Sequence, residues 1–381
     1  MAIEKIYRTI IIGAGPAGLV AGQHLDNALI LERKEKIGGD MQFIGMSNKS
    51  FARQGIKPNF PLVASKIYKI ERVMPNNKKI GKMHDSHIGY VVEKASLEKF
   101  LLKRVNAKIK LNRKVVALKF KDDLWEIKTN RGESFISRYI IGADGANSIV
   151  RREIFKENRE KLQYAFGTEA SIVTERNINF GIVKIYLNNE KYSGGYAWVF
   201  PTSIRTARVG VGGKENSKEE LNNFLEKEIK RDYGNHQILS FVEGVTCTQK
   251  SGFKFSKLGV MLVGDAAGLD DPIFKAGTNQ AMLSGKIASE CIVANKTFLY
   301  ERKIKSLPFA NPKIFEASKT LYSLNNQTLN ELGEILEGQR FSYLKTLHGL
   351  LRVLSKKNLR KNIIKLIRFI SIWKRNQDYL W

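Results

Sequence analysis

The chain has 381 residues, 43% of them hydrophobic, enough for one large or two intimately joined domains with an ample core. Its two cysteines, Cys247 and Cys291, exclude a disulfide framework or cysteine metal site, and no apolar run reaches the roughly 18 residues of a spanning helix. Lys and Arg outnumber Asp and Glu by 64 to 37, an excess that fits nucleic acid, an anionic membrane, an acidic protein or merely a lysine-rich proteome.

Ile10-Ile11-Ile12 is a β-branched run suited to a buried parallel strand. A strand starting near Tyr7 leaves no room for a signal or transit peptide, so a cytoplasmic location is expected. Gly13-Ala14-Gly15-Pro16-Ala17-Gly18 follows at once. Gly13 permits a tight turn, Gly15 lets the backbone approach a pyrophosphate, and Gly18 lets the next helix pack on the strand. A helix over about Pro16 to Leu25 would point its amide-rich N-terminus at the phosphates. The next apolar strand, Ala28 to Leu31, ends in Glu32, 19 positions after Gly13, where an acid meets ribose hydroxyls. This is the pattern of a dinucleotide site.

After an excursion from about Gly39 to Tyr90, a helix is expected at Ser96 to Val105. Strands follow at Lys114 to Phe120 and Leu124 to Thr129, around a hairpin turn at Asp122-Asp123. Arg138 to Ile141 reads as a strand entering Gly142-Ala143-Asp144-Gly145, with Arg151 and Arg152 just beyond. Ile182 to Leu187, Tyr196 to Pro201 and Ala207 to Val211 read as antiparallel strands, with a helix at Lys218 to Tyr233. Tyr196, Trp198 and Phe200 share one face of their strand. Val260 to Val263 then enters Gly264-Asp265-Ala266-Ala267-Gly268, with a helix beginning near Gly277. Asp265 suits a ribityl hydroxyl, and the amides of Ala276 to Asn279 suit negative charge on a reduced flavin. Three such segments in this order, over about 250 residues, point to FAD.

From about Tyr300 the chain turns helical and basic, with no acidic residue between Gly338 and Gln377. Leu347, Leu350, Leu351 and Leu354, then Ile363, Ile364, Ile367 and Ile370, recur at helical spacing among lysines and arginines, with Trp373 and Trp381 near the end. Such a stretch lies on an anionic membrane or packs its apolar stripe on the body, and the two can coexist. No aromatic-basic nucleic-acid module is present, so lipid is the better partner for the charge. The five histidines show no metal spacing. The expected divisions are 1–150 (with the excursion 39–90) and 256–299 for the FAD-binding domain, 151–255 for a substrate domain, and 300–381 for a basic helical region.

These segments resemble the flavoprotein monooxygenase-like superfamily with the para-hydroxybenzoate hydroxylase fold, and within it the geranylgeranyl reductases. The likeness spans about residues 7 to 300. It rests on Tyr196-Ala197-Trp198-Val199-Phe200-Pro201 followed by Gly210-Val211-Gly212, on Gly89 to Glu98, on Gly264 to Gly268 with Pro272, Gly277 and Ser284-Gly285, and on Lys36 to Asp40. It implies an α/β (α+β) chain: a Rossmann-like FAD-binding domain with an inserted antiparallel-sheet substrate domain and a helical C-terminal region. It implies reduction of polyprenyl C=C bonds by hydride from flavin N5 plus a proton, with NAD(P)H or an acidic ferredoxin as reductant. The implied cofactor contacts are Gly13 to Gly18, Glu32, Arg33, Gly38, Gly39, Met41, Lys94, Val115, Asp144, Gly145, Gly264, Asp265, Gly277 and Thr278.

By the same resemblance, Tyr196, Trp198, Phe200 and Phe274 line a substrate tunnel, and Tyr196, Trp198 and Lys275 are catalytic candidates. Tyr196, Lys275 or a flavin-bound water supplies the proton. The chain departs from the family in three places. The loop at Gly38-Gly39 lacks a cysteine, Lys94 stands for an arginine, and Phe274-Lys275 interrupts the usual Pro-x-x-Gly-x-Gly. Asp271 to Phe274 is also similar to flavin-dependent halogenases, so an oxygenase or halogenase is the first alternative and an electron carrier to quinone the second.

Overall fold

The computed structural model describes residues 6–39, 42–156, 159–192, 194–214, 218–250, 252–337, 346–376 and 379. The branched residues of Ile6–Ile12 give a strand buried on both faces, and it takes the middle of an eight-stranded sheet. Ala28–Leu31 and Ser134–Gly142 flank it in parallel, and Val260–Leu262 lies parallel beyond the latter. All three glycine segments therefore leave the C-terminal ends of neighbouring parallel strands, where open α/β sheets place ligands.

Helix Pro16–Gly22 is shorter than expected, because the chain turns back through Asn27 (φ 47°) into the second strand. Lys94–Leu102 replaces the helix expected at Ser96 to Val105. Val115–Lys121 and Leu124–Thr129 pair about Asp122 and Asp123, whose φ of 51° and 59° make the two-residue reversal that suits antiparallel twist.

A second sheet has seven strands, in the order His236–Gln249, Leu162–Thr174, Thr206–Gly213, Tyr196–Pro201, Ile182–Tyr186, Lys69–Val73 and Lys79–Ile80. The last two come from the excursion, and Lys69–Val73 joins in parallel to Ile182–Tyr186. A third sheet of Phe43–Ser47, Gly89–Glu93 and Val63–Ile67 bridges towards the cofactor domain. One face of the second sheet is covered by the continuous helical run Lys218–Phe224, Leu225–Ile229 and Lys230–Tyr233, which buries Ala197, Val199, Val209 and Val211. The opposite face is left for a site.

The tail forms helices Lys313–Tyr322, Asn326–Ile335, Leu347–Ser355, Lys357–Lys361 and Ile363–Asn376. Val353, Leu359, Leu366, Phe369 and Ile370 share a core with Tyr196, Phe200 and Phe274. The tail thus packs on the body and backs the aromatic strand, while other apolar residues of the same helices stay outside.

Candidate active site

The first glycine turn is built by close approach. Gly13 has φ +103°, and a Cβ there would stand 2.4 Å from the Ala143 carbonyl oxygen; at Gly18 it would stand 2.0 Å from that of Gly13. At Gly15 no atom of the other described residues, its chain neighbours apart, lies within 4 Å of such a Cβ, so this glycine faces open space at a helix start. Glu32 is fixed beside it, accepting the amides of Ala14 (2.6 Å) and Lys34 (2.8 Å).

The other two glycine segments are tied to each other. Asp144 accepts from Ser148 Oγ (2.6 Å) and the amides of Ile149 (2.6 Å) and Val150 (3.2 Å), and so caps the turn that follows it. Arg151, 4% exposed, donates to the carbonyls of Ala146, Asp265 (3.1 Å) and Ala266 (2.8 Å). In the sequence Arg151 merely follows the second glycine segment, and its role as a clamp between segments 114 positions apart has no local signal. Beyond it, Asp265, Asp270 and Asp271 are packed together, and burial pushes all three carboxyls up, Asp271 to about 6. Both carboxyl oxygens of Asp270, Oδ1 of Asn279 and Nε2 of Gln280 are buried with no hydrogen-bond partner.

These parts surround one cavity of about 750 Å³. Gly13 to Ala17, Glu32, Arg33, Lys94, Val115, Asp144, Gly145, Gly264, Asp265, Gly277 and Thr278 line it, together with Tyr196, Trp198, Phe200, Phe274 and Lys275. Gly18 lies behind the turn. Gly38 and Gly39 are off the lining, and the Gly38 amide donates to Glu98 (3.2 Å). Met41 and Trp381 lie outside the described residues.

Within the cavity, Tyr196 packs 5.7 Å from Trp198 and 5.8 Å from Phe274 between ring centroids. Its hydroxyl donates to the Phe274 carbonyl, and burial pushes its pKa up. That proton is committed to holding the loop. Lys275 adopts φ +53°, a left-handed geometry that favours the glycine usual at this position. Its ammonium donates to the Pro272 carbonyl (2.6 Å) and lies 5.4 Å from the centre of the Tyr322 ring. Burial lowers its pKa.

A family profile described as an FAD binding domain matches residues 7–285. The chain belongs to this FAD-binding family. The residues present fit the cofactor: a glycine turn with open space at Gly15, a helix start behind it, and unpartnered buried donors and acceptors at the far end. A digeranylgeranylglycerophospholipid reductase of Methanosarcina acetivorans is 29% identical over 310 residues, 76% of this chain and 75% of that protein. The enzyme of that name from Methanocaldococcus jannaschii is 26% identical over 93% of this chain and 96% of its own length. A geranylgeranyl bacteriochlorophyll reductase-like protein of Thermoplasma acidophilum has the same fold, with a TM-score of 0.78 at 22% identity over 95% of this chain and 99% of that one.

Proposed function

We propose that this flavoprotein saturates isolated C=C bonds of polyprenyl chains of the geranylgeranyl type, carried on membrane lipids or their precursors. The observation that carries this reading is the wall formed by Tyr196, Trp198, Phe200 and Phe274 in the same cavity as the FAD-binding turns. An aromatic surface of this kind suits an unfunctionalised hydrocarbon. The names of relatives that match over most of the chain support it.

An isolated alkene has no carbonyl to stabilise developing charge, so its reduction depends on alignment and exclusion of water. Reduced FAD, when bound, supplies hydride from N5. With FAD bound, the Gly13–Gly18 turn and its helix would hold the pyrophosphate, Glu32 the ribose and Asp265 the ribityl chain. The aromatic wall orients the polyprenyl chain and keeps the site dry. NAD(P)H or a small acidic ferredoxin, drawn to the basic surface, supplies the electrons.

The test is anaerobic incubation of the reduced protein with a geranylgeranylated lipid, followed by mass spectrometry. Two hydrogens gained per double bond, with flavin reoxidation in step, is the expected result. An unchanged lipid, with flavin that reacts rapidly once oxygen enters, would replace the reductase with an oxygenase or halogenase.

Attachment to an anionic bilayer belongs to the same proposal. Residues 338–377 hold eleven Lys and Arg and no acid. On helix Leu347–Ser355, Leu347, Leu351 and Leu354 share a face and are 75%, 57% and 40% exposed, and on the last helix Ile364 is 78% exposed. No helix among the described residues is long and apolar enough to cross a membrane, so the expected contact is peripheral. Leu351→Glu with Ile364→Glu should weaken sedimentation with phosphatidylglycerol vesicles by at least ~10-fold, with flavin content unchanged. Undiminished binding would remove the tail from the membrane contact.

A further inference from the structure

The Trp198 ring packs over its own sheet towards the two strands on one side, where glycines leave room for it. Register opposes Trp198 to Gly210 and Tyr196 to Gly212, and on the next strand Gly210 to Glu169 and Gly212 to Gly167. A Cβ at Gly210 would stand 2.2 Å from indole Cζ2, one at Gly212 3.3 Å from Cζ3, and one at Gly167 3.7 Å from Cη2. The ring therefore spans three glycines.

Its single polar atom, Nε1, donates to Glu169 Oε2 at 3.2 Å. Glu169 Oε1 accepts the amide of Phe43 at 3.2 Å, and Phe43 lines the cavity from the third sheet. Arg208, as buried as Glu169 at 5% exposure, is the charged group acting on the carboxylate. The Arg208 guanidinium also sits 4.6 Å from the centre of the Phe43 ring. The strand on the other side presents Val242 opposite Glu169. Trp198 and Phe43 offer it N–H donors and no charge.

A carboxylate is a costly choice for this place. Burial pushes Glu169 up to about 7 despite Arg208 and both donors. The two N–H donors meet two separate oxygens, which only the ionised carboxylate offers as acceptors: a glutamine has one carbonyl oxygen and its NH2 would face the other donor, as would the hydroxyl of the protonated acid.

We infer that Glu169 is a positioning residue for the substrate chain: ionised, it holds the Trp198 indole flat on the glycine seat and, through Phe43, sets the width of the channel; protonated, it loosens the ring. This rests on the reading of the cavity as a polyprenyl tunnel. It makes the grip on an apolar chain depend on pH near neutrality, although the chain itself has nothing to titrate.

The test uses the FAD-bound protein and the variants E169Q, E169A and W198F. Trp198 emission, taken as wild type minus W198F, should change with a midpoint near pH 7, and the step should vanish in E169Q. KM for a geranylgeranylated lipid should rise ~10-fold in the wild type between pH 8 and pH 5.5 with kcat nearly constant, and be high at every pH in E169Q and E169A. Melting provides a control that needs no substrate. The folded pKa lies above the ordinary 4.5, so the folded form binds the proton more tightly and stability falls as pH rises from about 4.5 to about 7. E169Q, with nothing to titrate at this position, should lack that fall.

A pH-independent Trp198 emission in the wild type overturns the inference, and so does the same step in E169Q. If the step is present but no polyprenyl chain is reduced at any pH, the tunnel reading falls and the positioning role falls with it. Those two failures are told apart by the emission alone.

Discussion

Gly15→Val should give a protein that melts like the wild-type apoprotein but purifies without flavin. The backbone there, φ −73° and ψ −178°, is open to a β-branched residue, and no other described residue beyond the chain neighbours comes within 4 Å of the new Cβ. The added methyl groups enter the space that a pyrophosphate needs for its approach to the turn, so FAD affinity should fall by at least ~100-fold. Gly18→Val is the contrast. Its Cβ would stand 2.0 Å from the Gly13 oxygen and 3.3 Å from Ala143 Cβ, which forces the helix off the turn. Overpacking against fixed backbone should cost roughly 3 kcal/mol, and this variant should lose both flavin and fold. Flavin absorbance per protein and apoprotein melting separate the two. A Gly15→Val protein that stays yellow would mean that the pyrophosphate lies elsewhere.

Gly210→Ala should disable the cavity while leaving FAD bound. One methyl group placed 2.2 Å from indole Cζ2 and 2.5 Å from Cε2 cannot share the site with Trp198. The methyl is anchored to a strand paired on both sides, so the ring must move. When it swings into the cavity it loses its bond to Glu169, and a buried N–H and carboxylate are left without each other. Overpacking and the broken bond together should cost about 2–4 kcal/mol of stability, and reduction of the polyprenyl chain should fall by at least ~100-fold. Gly210→Ala with Trp198→Ala should be less destabilised than the sum of the two single variants and regain no activity, a non-additivity expected of direct contact. If the single variant turns over normally, Trp198 does not form the wall of the substrate site.

The elements that were legible in advance share a property: their cause lies within a few residues. The Gly13–Gly18 turn, the Asp122-Asp123 reversal and the alternation of Tyr196, Trp198 and Phe200 follow from allowed φ, close approach and the two-residue period of a strand. The strand ends that gather the three glycine segments were legible for the same reason, since each begins as an apolar run read directly before its turn.

Other features depended on what lies across the fold. Lys69–Val73 lies in the excursion, where the sequence reading places no elements, and its place beside Ile182–Tyr186 is set by which edge of the second sheet remained open. Tyr196 carries a hydroxyl that any sequence reading offers as an acid, but its position under Phe274 commits it to a carbonyl. The tail's apolar residues repeat at helical spacing throughout, and packing alone separates buried Leu366 and Phe369 from exposed Leu351 and Ile364.

By itself, then, the sequence determined an FAD-binding α/β framework, the order of its cofactor segments and an aromatic strand facing a site. The tertiary structure decided how those side chains are held. Trp198 meets Glu169 from 29 positions away, and Glu169 meets Phe43 from 126. Backbone rules and side-chain periods act over a few residues, whereas burial, which makes such a carboxylate costly and responsive to pH, exists only once distant strands have closed around it.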